Sequence, residues 1–422
     1  MDQQEEFIMS LGEALTTRFF RYLAIESQSC ASSPTIPSTE SQWNMVNALA
    51  TELEQYGLAD IHIDEHGVLT AFRKGELENV PTMGFITHVD TVDVGLSPDI
   101  HPQRLHYNGE DLCLNRQENI WFKREEHPEA ERYIGEEIIF SDGTSVLGAD
   151  NKAAVTVVME LLSRLSQGEC APMGDLYVAF VPDEEIGLRG AKVMDLDRFK
   201  VDFAYTIDCC EEGEIVYETF NAGSVAITIT GVTAHPMSAK NVLVNPLRVA
   251  QDLMGCFDPL DTPEHTEGRE GYFWLTSLNG NANEAVLRIN IRDFDKTSYA
   301  ARKAYIESAV AMIQARHPRA NIVCEITDVY SNIQDSMGTD QTALDALFAT
   351  FDALDIPKNV IPMRGGTDGS ALSKRGIFTP NYFTGALNFH SRFEFLPISA
   401  FEKSYQVTER LCAMVATYPK AV

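Results

Sequence analysis

The sequence has far fewer basic than acidic side chains. Its 422 residues carry 33 lysines and arginines against 62 aspartates and glutamates, a formal net charge of −29. Such an excess of negative charge repels phosphate backbones and anionic lipids, which argues against nucleic acid or membrane-surface partners. No apolar run reaches the length of a membrane span, and the acidic residues 1–6 lack the basic start of a signal peptide. We therefore expect a soluble protein, although the charge identifies no substrate.

The eight cysteines show neither a disulfide framework nor the spacing of a zinc finger. They are scattered along the chain, and only Cys209 and Cys210 are neighbours. Scattered thiols of this kind are typical of proteins from a reducing compartment. We therefore expect reduced cysteines and a cytoplasmic protein, in which Cys209 and Cys210 pack beside Asp208; a role for this pair as metal ligands is the lesser alternative.

One stretch, residues 176–187, combines a short apolar run with three consecutive carboxylates. Its sequence is LYVAFVPDEEIG, so the run 176–181 is followed by Asp183, Glu184 and Glu185. A short apolar run bounded by proline and glycine is typical of a buried parallel strand. Three adjacent carboxylates repel one another, and in a cleft a cation or a proton relieves the repulsion. The triplet alone also fits a solvated acidic turn.

Other strand-like runs also end at a histidine or a carboxylate. These runs are residues 83–87, 145–150, 203–207 and 382–384. A doubly wound sheet brings the ends of its strands to one edge. The candidate ligands at that edge are His88, Asp150, Glu185, Asp208 and His390. Imidazole and carboxylate are zinc-type ligands, and five of them, with one aspartate able to bridge, suit two metal ions about 3.5–4 Å apart.

The sequence His88-Val89-Asp90 adds a partner for the first histidine. Residues two apart lie on the same side of an extended segment, so Asp90 can accept the second ring N–H of His88. This arrangement fixes the tautomer of a metal-binding histidine. Further along the chain, Asn151 is predicted to cap the helix that follows Asp150.

In this interpretation the two glutamates of the triplet have different roles. Neighbouring residues in an extended segment point opposite ways, so Glu184 and Glu185 can enter one site only if the backbone turns. Pro182 and Gly187 permit such a turn. One carboxylate would then bind metal, while the other stays free as a general base whose pKa burial raises toward neutrality.

Hydrophobic periodicity predicts an α/β protein, with a mostly parallel sheet flanked by helices and an inserted α+β domain. Helical spacing covers residues 5–24 and resumes from Trp43 to Gly57, and a βαβ alternation follows. Later, strands alternate in the antiparallel manner with two helices between them. The predicted division is therefore 1–220, 221–332 and 333–422, in which the first and last parts form one domain.

A long segment with weak periodicity, residues 92–137, interrupts this pattern. Residues 116–132 are especially polar, and a loop of this length is usually functional or mobile. We predict a flexible surface segment with a small hairpin inside it. Its histidines, His101, His106 and His127, are expected to be solvated.

Taken together, these stretches resemble the M20 metallopeptidase family, and most closely its peptidase T branch. The matching segments are THVDT at 87–91, GADNKA at 148–153, PDEEIG at 182–187, Asp208, VxxHPxxAK around His235, NIRDFD at 290–295, RGGTDGS at 364–370 and NFHSRFEF at 388–395. The ordered set is specific, although no single motif is. The chain departs from the peptidase T pattern after His390, where His-Ser-Arg-Phe replaces His-Gly-Lys-His, and in residues 116–131; both lie where substrate length could be sensed.

The resemblance implies a dizinc aminopeptidase that hydrolyses the N-terminal residue from short peptides, with tripeptides as the expected substrates. It implies that His88 and Asp208 hold one zinc ion and that Glu185 and His390 hold the other. Asp150 would bridge the two ions.

The resemblance also implies roles for residues outside the ligand set. Glu184 would be the general base for a metal-bound water, and Asp90 would orient His88. Residues 221–332 would form a lid and dimerisation domain of a homodimer. The implied substrate contacts are His235, which would reach the partner's site, and Asn245, Arg292 and Arg364.

Two other functions remain open from the sequence. An amidohydrolase or carboxypeptidase acting on N-acyl amino acids or dipeptides would use the same metal site, but it would not require a free N-terminal amine. A metal-binding protein without turnover would also keep the ligands. It would have no need of Glu184 beside all five of them.

Overall fold

The computed structural model describes residues 10–420, which fold into two compact units. The first unit contains the chain up to Tyr217, Ser336–Ile361 and the chain from Thr367 onward. The second unit contains Glu218–Asp335 and the short segment Pro362–Gly366. The ends of its long segment lie close to the boundaries expected from the sequence.

The segment Pro362–Gly366 differs from the expected division, which placed it with the rest of the C-terminal part. Backbone hydrogen bonds tie it to the second unit, from Met363 N–H to Glu218 O (3.0 Å) and from Phe220 N–H to Gly365 O (3.3 Å). A Cβ atom at Gly366 would lie 2.7 Å from the ring of Tyr330. Such close packing is visible only once the fold is known.

Across residues 10–420 the structure contains nine α-helices. They are α1 (Leu11–Leu23), α2 (Ser41–Gln55), α3 (Ala149–Gln167), α4 (Arg189–Val193), α5 (Pro246–Met254), α6 (Lys296–Arg316), α7 (Thr342–Ala353), α8 (Asp368–Lys374) and α9 (Ile398–Val415). Helix α1 begins after Ser10, whose hydroxyl accepts the N–H of Glu13 (3.3 Å). Residues 5–9 of the first predicted helix lie outside the described residues. No helix in the described part of the chain combines the length and apolar character that a membrane span needs.

The same residues form seventeen β-strands in one large sheet and three smaller ones. They are β1 (Ala59–Ile63), β2 (Leu69–Arg73), β3 (Met83–His88), β4 (Pro102–Tyr107), β5 (Leu112–Asn115), β6 (Ile120–Phe122), β7 (Glu136–Ser141), β8 (Leu176–Val181), β9 (Phe203–Cys209), β10 (Glu214–Val216), β11 (Asn221–Thr230), β12 (Tyr272–Gly280), β13 (Glu284–Asp293), β14 (Asn321–Tyr330), β15 (Asn359–Val360), β16 (Asn381–Phe383) and β17 (Phe395–Pro397).

The large sheet belongs to the first unit and has the strand order β1-β2-β8-β3-β9-β16-β10-β15. Its central strands β8, β3, β9 and β16 run parallel to one another. Strand β3 is buried at every position, as expected for a strand covered on both faces. The predicted α/β class is therefore confirmed. Because β8, β3 and β9 are parallel neighbours, their carboxyl ends meet at one edge of the sheet.

The second unit is built on an antiparallel sheet with the order β12-β13-β11-β14. Along β11, the buried residues Val225, Ile227 and Ile229 alternate with partly exposed ones. This alternation is typical of a sheet with one packed face, and residues of α5 and α6 join these side chains in one apolar core. The unit is thus the α+β insertion that the sequence predicted.

Residues 92–137 lie largely at the surface, as predicted, and His101 and His106 are exposed, but the expectation of a flexible loop is wrong. This part of the chain forms β4, the hairpin β5–β6 and the start of β7, so the predicted small hairpin is confirmed. Phe122 is buried between Phe140 (5.1 Å between ring centroids) and Phe395 (5.5 Å). His127, expected to be solvated, stacks on Phe122 at 4.3 Å. The aromatic partners that order the segment are remote in sequence, so periodicity did not reveal them.

The strand expected over residues 145–150 is also wrong. The chain is irregular up to Gly148, which has a left-handed φ of 73°, and α3 begins at Ala149. Asn151 does not cap this helix through its side chain, because neither polar atom of its side-chain amide has a hydrogen-bond partner among residues 10–420. A short apolar run does not by itself distinguish a strand from a buried loop.

Candidate metal centre

Asp150 lies at the centre of a group of histidines and carboxylates in the first unit. Its Oδ1 atom lies 3.0 Å from Nε2 of His88, and its Oδ2 atom lies 3.0 Å from Nε2 of His390. Nε2 of His390 also lies 3.0 Å from Oε2 of Glu185. Oδ1 of Asp208 lies 3.9 Å from Nε2 of His88. The structure thus brings the five predicted ligands together, with one oxygen of Asp150 directed at each histidine.

Asp90 connects the strand ends that carry these groups. It is fully buried after β3, and Nδ1 of His88 lies 3.1 Å from its backbone carbonyl oxygen and 3.3 Å from its Oδ1 atom. These contacts direct the other ring nitrogen of His88 toward Asp150. The same carboxylate accepts the backbone N–H groups of Glu184 (2.9 Å) and Glu185 (3.3 Å). The sequence suggested the contact with His88, whereas the two backbone contacts are visible only in the structure.

The backbone turns after β8, as two neighbouring glutamates in one site require. Asp183 has a left-handed φ of 57°, and the N–H of Gly187 donates to the carbonyl of Glu184 (2.9 Å). The carboxylate of Asp183 accepts the N–H and hydroxyl of Ser38 (2.8 and 2.5 Å) and the side-chain amide of Gln42 (2.7 Å). The first acid of the triplet therefore anchors the turn. Ser38 and Gln42 were not identified from the sequence, because nothing in it links them to Asp183.

The carboxylates of the cluster have strongly shifted pKa values. Burial, together with the negative charge of Asp150, raises the pKa of Glu185 to about 8 and that of Asp208 to about 6. Burial also raises the pKa of Glu184 well above its usual range. For Asp150 burial acts in the same direction, but hydrogen bonds with the two histidines outweigh it and hold its pKa below the usual range. Crowded buried carboxylates of this kind need protons or a cation to relieve their repulsion.

The donor set fits a divalent cation. One ligand atom each from His88, Asp150 and Glu185 lies within 4.8 Å of the others. The Oε1 atom of Glu185 is buried without a hydrogen-bond partner in the described part of the chain, an arrangement that costs free energy unless another group binds it. Histidine nitrogens and carboxylate oxygens suit zinc and related metals. Because a different histidine contacts each oxygen of Asp150, the group contains ligands for two ions.

The four predicted substrate-binding residues all lie in the second unit. His235 is exposed, and its Nδ1 atom accepts the N–H of Met237 (3.2 Å). Asn245 caps α5 by accepting the N–H of Leu247 (3.0 Å). Substrate contact by these two residues stays a prediction.

The two predicted arginines already have partners in the second unit. Nη1 of Arg292 donates to the carbonyls of Gly223 (3.3 Å) and Ile291 (2.9 Å). Arg364 donates to the carbonyl of Glu270 (2.9 Å), and its guanidinium lies 5.3 Å from the ring centroid of Phe220. These contacts fix the positions of both guanidinium groups, and their role in substrate binding also stays a prediction.

Two buried carboxylates near the centre were not identified from the sequence. Glu394 accepts the N–H groups of Gly148 (2.7 Å) and Asp150 (3.0 Å), and burial raises its pKa to about 8. Asp368, at the start of α8, is buried with no hydrogen-bond partner for either carboxylate oxygen among the described residues, and burial raises its pKa to about 8. For Glu394 the available signal was a carboxylate between two aromatic residues, in the sequence Phe-Glu-Phe.

Comparison with known proteins decides the family. The sequence profile described as "Peptidase family M20/M25/M40" matches residues 148–414, well over half of the 422-residue chain. This chain belongs to peptidase family M20/M25/M40. The matched region includes Asp150, both glutamates after β8, Asp208 and His390.

The relatives place this M20 peptidase in the peptidase T branch. A peptidase T-like protein of Yersinia pestis is 64% identical over 408 residues, which are 97% of this chain and 99% of the relative. Peptidase T of Clostridium novyi is 38% identical over 397 residues, 94% and 97% of the two chains. The crystal structure of aminopeptidase PepT from Bacillus cereus, 19% identical, has the same fold over 96% of this chain and 99% of that chain, with a TM-score of 0.76. The predicted family and fold class are confirmed, and the chain is a metallopeptidase.

Proposed function

We propose that this M20 peptidase is a dizinc aminopeptidase that removes the N-terminal residue from short peptides, with tripeptides as its main substrates. The observation that carries the proposal is the contact of His88 and His390 with opposite oxygens of Asp150, each at 3.0 Å. The names of similar proteins, peptidase T and aminopeptidase PepT, support peptides as the substrate class.

The five ligands have separate tasks in this proposal. His88 and Asp208 would hold one zinc ion, Glu185 and His390 would hold the other, and Asp150 would supply a ligand to both. When bound, zinc supplies a Lewis acid that polarises the scissile carbonyl and lowers the pKa of water. The unpartnered Oε1 atom of Glu185 supports its role as a ligand.

Glu184 and Asp90 act on the proton and on the geometry of the site. Oε2 of Glu184 lies 3.9 Å from Nε2 of His88, next to the ligand group. We assign to this carboxylate the removal of a proton from the attacking water and its return to the leaving amine. Asp90 fixes the position of Glu184 through the backbone bond of 2.9 Å.

A panel of peptides tests the substrate class. We expect the purified protein with zinc to hydrolyse tripeptides faster than dipeptides or tetrapeptides and to release only the N-terminal residue. N-acetylated tripeptides should resist hydrolysis, because an aminopeptidase requires the free amine. Amino acid analysis of the products over time provides the measurement, and removal of metal with a chelator provides the control. Faster hydrolysis of the acetylated peptides would favour the amidohydrolase alternative.

We also propose that the protein is a homodimer and that the second unit serves as its lid and dimerisation domain. In this dimer His235 enters the active site of the partner subunit, where it stabilises the oxyanion. The exposure of His235 in a second unit with its own core supports this role. Arg292, Arg364 and Asn245 are proposed to bind the substrate's carboxylate or scissile carbonyl. The scattered cysteines support a cytoplasmic location, which cell fractionation would test.

Mixing two inactive variants tests the shared site. His235→Ala should lower turnover by about 10²-fold with unchanged metal content, as loss of one oxyanion donor does. If His235 acts across the dimer, mixing His235→Ala with Glu184→Ala restores activity, because one site of the mixed dimer has both groups intact. If it acts within its own chain, every site keeps a defect. Subunit exchange, confirmed with two affinity tags, combined with no recovery of activity would contradict the proposal.

A further inference from the structure

The loop that carries His390 also contains a buried carboxylate with no assigned role. Glu394 is 1% exposed and stands between Phe393 and Phe395. Both of its oxygens are occupied by backbone donors: Oε2 accepts the N–H of Gly148 (2.7 Å), and Oε1 accepts the N–H of Asp150 (3.0 Å). Both donors lie in the irregular segment that presents Asp150, so Glu394 holds this segment on either side of Ala149.

The Asp150 segment needs such support, because its own backbone pattern is irregular. Gly148 has a left-handed φ of 73°, and the dihedral angles of Asp150 and Asn151 are not helical although α3 formally begins at Ala149. The first N–H groups of a helix have no partner within the helix. Here the side chain of Glu394, from a remote part of the chain, accepts the N–H groups of Gly148 and Asp150.

The loop of Glu394 is itself well fixed. Leu387 and Phe395 exchange two backbone hydrogen bonds, each of 2.9–3.1 Å, which close the loop. Inside it, the N–H of Glu394 donates to Ser391 O (3.1 Å). This loop places His390 against the side chain of Asp150 and Glu394 against its backbone. One loop therefore contacts both the side chain and the backbone of Asp150.

We propose that Glu394 is a positioning residue for the metal centre, which holds the backbone of Asp150 so that its carboxylate faces both metal sites. The inference rests on the proposed dizinc function, since it concerns the bridging ligand. Glu394 itself binds neither metal nor substrate. Its removal should therefore change metal affinity and turnover while leaving substrate binding largely intact.

Glu394→Gln tests this role with a change of nearly the same shape. The amide keeps one acceptor oxygen but places an NH₂ group against the second N–H donor, so the Asp150 segment should shift. We expect metal affinity to fall by about 10- to 100-fold, as is typical when a group supporting a ligand is lost. We also expect kcat to fall at saturating zinc with KM nearly unchanged. Chelator competition gives the affinity, and the visible absorption of the Co²⁺-substituted protein, which reports ligand geometry, should change.

Asp64→Asn is the matched control. Oδ1 of Asp64 accepts two backbone N–H groups, from His66 (2.8 Å) and Val68 (2.9 Å), in the β1–β2 turn outside the centre. This variant should keep wild-type metal affinity and Co²⁺ absorption. If Glu394→Gln does not fold, Glu394→Asp, which keeps the charge but moves the oxygens by one methylene, is measured in the same way and should show the same weakening.

The outcomes separate this inference from the proposed function. Wild-type metal affinity and Co²⁺ absorption in a folded Glu394 variant would overturn the positioning role and leave the aminopeptidase proposal intact. A wild-type protein that binds two metal ions but hydrolyses no peptide would overturn the proposed function, while the affinity comparison would still decide the role of Glu394. A wild-type protein that binds no divalent cation would overturn both.

Discussion

Glu184→Gln is expected to abolish most turnover while the protein keeps both metal ions. The substitution preserves the size of the side chain but removes its ability to accept a proton, and general-base catalysis typically contributes about 10²–10⁴-fold. Metal content should not change, because the proposal gives Glu184 a role in proton transfer and assigns both ions to the other five side chains. Single-turnover kinetics together with metal analysis of the same sample provides the measurement.

The adjacent residue provides a matched control for this prediction. Glu185→Gln alters a carboxylate in the same turn, with the same backbone partner Asp90. Because Oε2 of Glu185 lies 3.0 Å from Nε2 of His390, this variant should lose metal as well as turnover. Near-native kcat in Glu184→Gln, or equal metal loss in both variants, would refute the division of roles between the two glutamates.

The position of most of the centre follows from sequence order and sheet geometry. His88 ends β3, Asp208 lies near the end of β9, and the two glutamates follow β8. Parallel strands present their carboxyl ends at one edge of the sheet, and this rule is sufficient to predict that these four residues lie close together. These strands could be identified from continuous apolar runs, because both faces of the sheet are covered and apolar residues therefore do not alternate with polar ones.

The parts that could not be predicted depend on contacts between distant residues. Glu394 lies 244 residues from Asp150 along the chain, and Gln42 lies 141 residues from Asp183. Neither contact leaves a local pattern, since a glutamate between aromatic residues or a glutamine in a helix is compatible with many structures. Periodicity detects a packed face, but it does not show which backbone N–H groups a carboxylate will accept.

The misread segment over residues 92–137 has the same physical cause. Phe393, in the loop of His390, lies 4.8 Å from the ring of His127 and 6.3 Å from that of Phe122. In addition, the side-chain amide of Asn388 donates to Glu129 (2.7 Å). The two regions that depart from the peptidase T pattern are therefore in contact with each other. A polar sequence is ordered here because a remote loop supplies its aromatic partners.

Asp150→Ala is expected to remove metal and activity together. Each oxygen of this carboxylate lies 3.0 Å from a different histidine, so its loss takes one ligand from both proposed ions. We expect turnover to fall to background at ordinary zinc concentrations, and neither zinc ion should survive dialysis in full occupancy. Metal analysis after dialysis decides the question, with Asp64→Ala as a control that alters a carboxylate outside the centre. Two tightly held zinc ions in folded Asp150→Ala would show that this residue does not bridge them.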